Sequence, residues 1–275
     1  MAEIRGGLGC SHAPSIGQVF DQGLTQEPGW KPLFDALDHA GRWLLSLDVD
    51  ALVVIYNDHI DQYQLEAWPQ FAIGVGKDFA VADEGWLPRK LPVVPGYPEL
   101  AMHIASALVS SGIDISVAYE QVVDHGILSP LPLINRGWAM PIVPVEINVI
   151  FDPRPSPARC WDLGNALGKA IESFNRDVKV AVIGTGGLSH QLTGPEFGVV
   201  RPEWDREFLR LIQDDPASLT SYRTEDFARL GGEHSVEIVQ WMTMRASLPP
   251  GFSSKFAFYY PYEIMGYGIV GFSPG

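Results

Sequence analysis

Apolar positions along this chain fall into two patterns, and the contrast predicts the architecture. Leu52, Val53, Val54 and Ile55 follow one another without a polar break. Such a β-branched run is how a strand buried on both faces reads. Residues 178–183 repeat the pattern, as do residues 141–149, interrupted by Pro144. Elsewhere the spacing is helical. Trp30, Leu33, Phe34, Leu37, Leu44 and Leu47 predict a helix over residues 30–47. Leu100, Ile104 and Leu108 predict another, opened by Pro98 and stopped by Gly112. Ile113, Ile115 and Val117 alternate with polar residues, as a half-buried strand does.

Shorter strands are expected at residues 4–10 and 71–75, and aromatic strands at 256–260 and 266–272. A helix is expected to run from the Pro-rich segment 152–157 to about Phe174, with helical segments over 202–230. Gly231-Gly232 opens a last helix that contains Glu233, His234, Glu237, Trp241 and Met244. Residues 15–29 and 77–98, punctuated by Gly and Pro, read as loops. The second is long enough to expect that it carries function or covers something. Strands alternating with helices predict an α/β fold with some antiparallel pairing at the C-terminal end, built as a single domain over residues 1–275.

The ends of the strands carry the chemistry. Leu52–Ile55 runs into Tyr56-Asn57-Asp58-His59, and the first strand into Ser11-His12-Ala13-Pro14. Val123-Asp124-His125-Gly126 and Gly184-Thr185-Gly186-Gly187-Leu188-Ser189-His190-Gln191 follow the same plan. Four of the seven histidines therefore stand just past a strand, where α/β sheets place their ligands. Their convergence at one sheet edge predicts a metal site, acid–base catalysis, or both. Asp58 and His59 would face opposite ways if the strand continued, one free to bind and the other to brace a loop. Cys10 reads as a small buried filler, His39 as solvated, and His103 as an ordinary helix histidine.

The Gly-rich turn fits neither common motif. A dinucleotide fingerprint needs a glycine where Ser189 stands, and a nucleophile elbow needs one at Gln191. The glycines are expected to admit a substrate or to turn the backbone tightly beneath His190. Two histidines and a carboxylate suit Fe(II) and leave positions open. Glu233 and Glu237, four apart, would share a helix face; Asp58 and Asp124 each stand beside a candidate histidine. The residues alone leave these four open.

Composition narrows the partners. A net charge of −14 over 275 residues repels nucleic acid and anionic membranes. Two cysteines exclude a disulfide framework and a Cys-rich zinc site. No signal-peptide pattern or membrane-length apolar run is evident, so a cytoplasmic location is expected. Only 19% of residues are charged, and eight Trp and thirteen Phe predict extensive burial that extends to a subunit interface.

The four strand-end blocks, in this order, resemble the type II (LigB-like) extradiol dioxygenases, most closely the β subunits of protocatechuate 4,5-dioxygenases. Ala82-Asp83-Glu84-Gly85-Trp86 and Val236-Glu237-Ile238-Val239-Gln240-Trp241 extend the resemblance, which spans about residues 4–260. It implies a sheet core flanked by helices on both sides. It implies Fe(II) held by His12, His59 and Glu237, an acid–base role for His190, and His125 placed near the substrate hydroxyls. It implies ring cleavage of a catechol beside its two hydroxyls, with both atoms of O2 incorporated. It also implies a homo-oligomer, or a hetero-oligomer with a small helical α subunit that covers the site. The chain departs from the pattern at Tyr260-Pro261-Tyr262-Glu263-Ile264-Met265-Gly266, where the relatives carry small polar residues for a ring carboxylate. Protocatechuate, gallate, a methylated gallate, a lignin-derived biaryl catechol and an aminophenol are all open as substrates. Two other readings use the same residues: a zinc-dependent hydrolase, and a non-catalytic subunit of a two-component dioxygenase. The second requires missing ligands, and every expected ligand position is filled.

Overall fold

A computed structural model describes residues 1–85 and 89–275. Trp86 and the two residues after it lie outside the described residues. In chain order the elements are β1 (Glu3–Cys10), α1 (Pro14–Asp21), α2 (Lys31–Ser46), β2 (Ala51–Tyr56), β3 (Phe71–Gly74), β4 (Asp78–Val81), β5 (Val94–Pro95), α3 (Pro98–Ser110), β6 (Ser116–Ala118) and β7 (Val122–Val123). There follow α4 (His125–Leu128), α5 (Leu131–Ile134), β8 (Ile142–Ile147), α6 (Pro157–Glu172), β9 (Lys179–Thr185), α7 (Pro202–Asp214), α8 (Thr224–Gly231), α9 (Ile238–Ser247), β10 (Phe252–Tyr262) and β11 (Met265–Pro274).

Eight of the described strands form one sheet in the order β10-β11-β1-β9-β2-β8-β3-β6. Its centre, β1-β9-β2-β8, is parallel. β11 pairs antiparallel with both β1 and β10, which is the antiparallel finish expected from the sequence. β2 shows why its run is apolar throughout. Val53 and Ile55 pack on one face with Leu163 and Leu167 of α6 and Trp241 of α9. Leu52, Val54 and Tyr56 pack on the other with Leu33 and Leu37 of α2 and Leu131 of α5. Side chains alternate along a strand, so a strand with helices on both sides has no face left for polar residues.

Glycines set how closely these layers approach. A Cβ at Gly9 of β1 would meet the Trp241 ring, and one at Gly164 of α6 would strike the Thr243 carbonyl of α9. Both contacts are with rigid neighbours, so the positions require glycine.

Three expectations change. The segment read as a loop at 15–29 begins with α1, whose Pro14 opens the helix and whose Ile16 and Val19 are buried. The strand expected from Ile113 to Val117 is only Ser116–Ala118, and it lies at the sheet edge. Ile113 instead closes α3, its N–H bonded to the Leu108 carbonyl. Within the excursion at 77–98, β4 and β5 join β7 in a second, three-stranded sheet. These strands have only two to four residues, too short for a periodic signal.

Candidate active site

The parallel centre of the sheet explains how distant histidines meet. β1, β9 and β2 are adjacent and run the same way, so the segments beyond Cys10, Thr185 and Tyr56 leave from one edge. His12, His190 and His59 lie on those segments. The second sheet delivers the fourth: β7 ends at Val123, Asp124 caps α4, and His125 begins it.

His12 is buried at the end of β1. Its Nδ1 lies 3.0 Å from the Thr185 hydroxyl, which comes from the residue paired with Cys10 across the β1–β9 ladder. Its Nε2 is buried without a hydrogen bond, and Glu237 Oε2 stands 3.2 Å away. His59 is held from behind. Asp124 Oδ2 accepts the His59 backbone N–H at 2.6 Å and lies 2.9 Å from its Nδ1. The other oxygen of Asp124 accepts the Gly126 N–H at 2.8 Å. Burial alone would raise the Asp124 carboxyl, but the neighbouring His59 holds it down at about 2. His59 Nε2 lies 3.5 Å from Glu237 Oε1. Burial pulls the His59 imidazole down, yet Asp124 and Glu237 together raise it well above the usual histidine range.

Glu237 stands between the two rings and is buried. Burial would raise its carboxyl, but His12 and His59 hold it well below the usual range, so it is ionised. The Gly-rich turn serves this carboxylate: the Gly187 N–H donates to Oε2 at 2.7 Å. Gly186 adopts φ +144, and a Cβ there would press on the Glu237 carbonyl oxygen at 2.7 Å. Glu233 does not share its face. The chain from Glu233 to Glu237 is a 3₁₀ helix, where four residues overshoot one turn, so Glu233 is exposed beside Thr193. Asp58 binds no histidine. It accepts the backbone N–H groups of Asp61, Gln62 and Tyr63, bracing the loop as one of its two expected roles allowed.

His190 is buried, and its Nδ1 donates to the Leu188 carbonyl at 2.9 Å. That bond leaves Nε2 with its lone pair, 3.9 Å from Glu237 Oε2. Burial lowers its pKa and favours the neutral ring. His125 lies with its ring centroid 3.8 Å from that of His59, and its Nδ1 contacts a Glu84 carboxylate oxygen. Burial, and the His59 charge next, push its pKa well below the usual range. Cys10 is buried with its thiol pushed up to about 12, as suits a filler rather than a ligand. His103 contacts Ala170 of α6 and Ser173 just past its end, away from this group.

The donor set fits a metal. The Nδ1 atoms of His12 and His59 are taken by Thr185 and Asp124, which turns both Nε2 atoms toward the Glu237 carboxylate. An unpartnered imidazole nitrogen beside a buried ionised carboxylate is costly unless a cation completes the group. His125 also comes within range: ligand atoms of His12, His59 and His125 lie within 4.8 Å of one another. Thr185, Asn57 and Glu84 were not assigned roles from sequence. Thr185 ends β9, Asn57 follows β2 directly with its Nδ2 3.0 Å from His59 Nε2, and Glu84 stands three residues past β4; only the strand register shows which neighbour each reaches.

Residues 6–272 match the family described as the catalytic LigB subunit of aromatic ring-opening dioxygenase. The chain is 40% identical over 183 residues to gallate dioxygenase of Pseudomonas putida, covering 66% of this chain and 54% of that protein. The chain thus spans about half the length of that relative. It is 26% identical over 284 residues to 2,3-dihydroxyphenylpropionate/2,3-dihydroxicinnamic acid 1,2-dioxygenase of Klebsiella pneumoniae, covering 86% of this chain and 87% of that one. Among solved structures, an uncharacterized Escherichia coli K12 protein, JW3007, shares the fold. Its TM-score is 0.57 at 15% identity, over 98% of this chain and 100% of that one.

Proposed function

Since the chain belongs to the LigB family of catalytic subunits of aromatic ring-opening dioxygenases, we propose that it cleaves the ring of a catechol beside its hydroxyls, using Fe(II) and O2. The observation that supports this most is the arrangement around Glu237. Two imidazole nitrogens and one ionised carboxylate, from three separated segments, approach within 3.5 Å. In this reading His12, His59 and Glu237 hold the iron. When bound, the iron supplies positive charge that favours ionisation of a catechol hydroxyl, and open positions that bring substrate and O2 together.

The remaining groups work on protons and position. Neutral His190, with Nδ1 fixed on a carbonyl, offers Nε2 to take a hydroxyl proton and return it later. His125, beside His59 on the other flank, is a hydrogen-bond partner for the second hydroxyl. Asp124 keeps His59 in the tautomer that binds metal. The relatives' names support catechols bearing a side group, gallate and dihydroxyphenylpropionate among them. The β10–β11 turn, which holds Glu263 and leads into the Met265 that pairs with His190, forms the wall that selects the side group. Residues 1–275 act as one catalytic domain, because the sheet draws strands from both ends of the chain. No described helix is long and apolar enough to cross a membrane; we take the location to be cytoplasmic. We take the working form to be an oligomer, closed by a second copy or by a small helical subunit.

Oxygen uptake tests the proposal and separates it from the zinc-hydrolase reading. Iron-loaded protein is expected to consume one O2 per catechol and release a yellow ring-fission product, whereas zinc-loaded protein is not. A panel of protocatechuate, gallate, 3-O-methylgallate, an aminophenol and 2,3-dihydroxyphenylpropionate identifies the side group. No uptake with any of them would refute the proposal.

A further inference from the structure

Residues 82–85 and Arg89 have no part in the roles given above, yet both are fastened to the site's scaffold. β4 runs parallel to β7, with Val81 paired to Val123 and the Ala82 N–H bonded to the Val123 carbonyl at 3.0 Å. Two residues past β7 stands His125; three past β4 stands Glu84. The register of the small sheet therefore sets this carboxylate beside this imidazole. Gly85, at φ +73, turns back so that its N–H bonds to Asp83 at 3.2 Å, shaping the turn that carries Glu84. The Arg89 guanidinium is buried. It donates to both oxygens of Asp21 on α1, at 2.6 and 3.0 Å, and to the Leu128 carbonyl at the close of α4. Arg89 thus ties α1 to the helix that His125 begins.

We propose that Glu84 is a positioning residue that acts through His125, fixing the proton on Nδ1 and leaving Nε2 as the acceptor for substrate. The reason is a difference in chemistry between the two ring nitrogens. A carboxylate oxygen accepts and does not donate, so the nitrogen it touches carries the proton. The other nitrogen then keeps its lone pair. With Glu84 absent, the ring is free to place the proton on either nitrogen and to rotate. Contact with the His59 ring, tilted by 32° at 3.8 Å between centroids, does not choose between the nitrogens. The same device appears on the metal side, where Asp124 fixes His59. Each imidazole of this pair thus has its own carboxylate, delivered from a different strand end.

The kinetic part of this inference rests on the ring-cleavage reading; the tautomer does not. Histidine ¹⁵N spectra of the zinc-substituted, diamagnetic protein should show His125 protonated at Nδ1. Glu84→Ala should shift that signal toward Nε2 protonation or a mixture, while Glu84→Gln, whose carbonyl oxygen still accepts, should keep it. On iron-loaded protein Glu84→Ala should lower kcat about 10–100-fold with iron content unchanged. Glu84→Gln should recover most of that loss. In a His125→Ala background, Glu84→Ala should add almost nothing, because the two act as one unit. A His125 signal unmoved by Glu84→Ala, or losses that multiply in the double variant, would overturn the inference. Wild-type protein that consumes no O2, with the tautomer shift intact, would refute the ring-cleavage reading and leave the role of Glu84 standing.

Discussion

At the scale of single residues, the site is a set of imidazoles each held by one of its ring nitrogens. Thr185, Asp124 and Leu188 each take one nitrogen of His12, His59 and His190, and the other nitrogen is what remains for metal or substrate. In the proposed site Glu237 is the ligand and Glu233 a bystander, and two variants test that division. Glu237→Ala is expected to reduce bound iron from one equivalent to a small fraction, and Glu233→Ala to leave it unchanged, as read by metal analysis after desalting. His190→Ala should keep its iron and lose about 10²–10⁴-fold in kcat, the usual share of a general acid–base group. A second buried carboxyl makes a prediction independent of metal. Glu146 on β8 accepts bonds from Tyr56 at 2.6 Å and Gln121 at 2.7 Å, and burial raises it to about 8. A carboxyl raised on folding stabilises below its unfolded pKa, near 4.5, and loses that contribution as pH climbs through its folded value. Glu146→Gln cannot ionise. Its Tm should match wild type near pH 5 and exceed it increasingly up to about pH 8, where the stability difference reaches the order of a few kcal/mol. Parallel Tm curves across that window would refute the assignment.

At the scale of elements, the register of β1, β9 and β2 and the packing of α6 on α9 determine the site's geometry. Glu237 immediately precedes α9, so whatever shifts α9 shifts the carboxylate. Gly164 and Gly168 let α6 approach until their positions nearly touch the Thr243 and Ser247 carbonyls of α9. Gly164→Ala should force the helices apart, cost about 1–3 kcal/mol and lower Tm by several degrees. It should also weaken iron binding without touching a ligand; a variant with unchanged Tm and iron affinity would contradict this packing role. The strand ends were legible in the sequence because a doubly covered strand cannot hide its apolar run, and its polar terminus is then conspicuous. The shared helix face expected of Glu233 and Glu237 is absent for a local reason, since a 3₁₀ turn and an α-turn cannot be told apart by spacing four residues in advance. The second sheet was invisible because its strands make so few pairs that tertiary contacts, not periodicity, define them.

At the scale of the molecule, the sheet brings residues from position 12 to position 237 to one edge, and the net charge of −14 surrounds them. The sequence alone left four carboxylates open. The family resemblance implied Glu237, and the structure brings Glu237, and not Asp58 or Glu233, between the two histidines. It also offers two competing homes for a cation: the three imidazoles of His12, His59 and His125, and the group of Asp58, Asp61 and Asp124. Anomalous diffraction at the iron edge from crystals of the iron-loaded protein decides among them. The account predicts one peak, bonded to Nε2 of His12, Nε2 of His59 and the Glu237 carboxylate, with His125 and His190 nearby and unbonded. A peak held by His125 in place of Glu237, or seated among Asp58, Asp61 and Asp124, would contradict it.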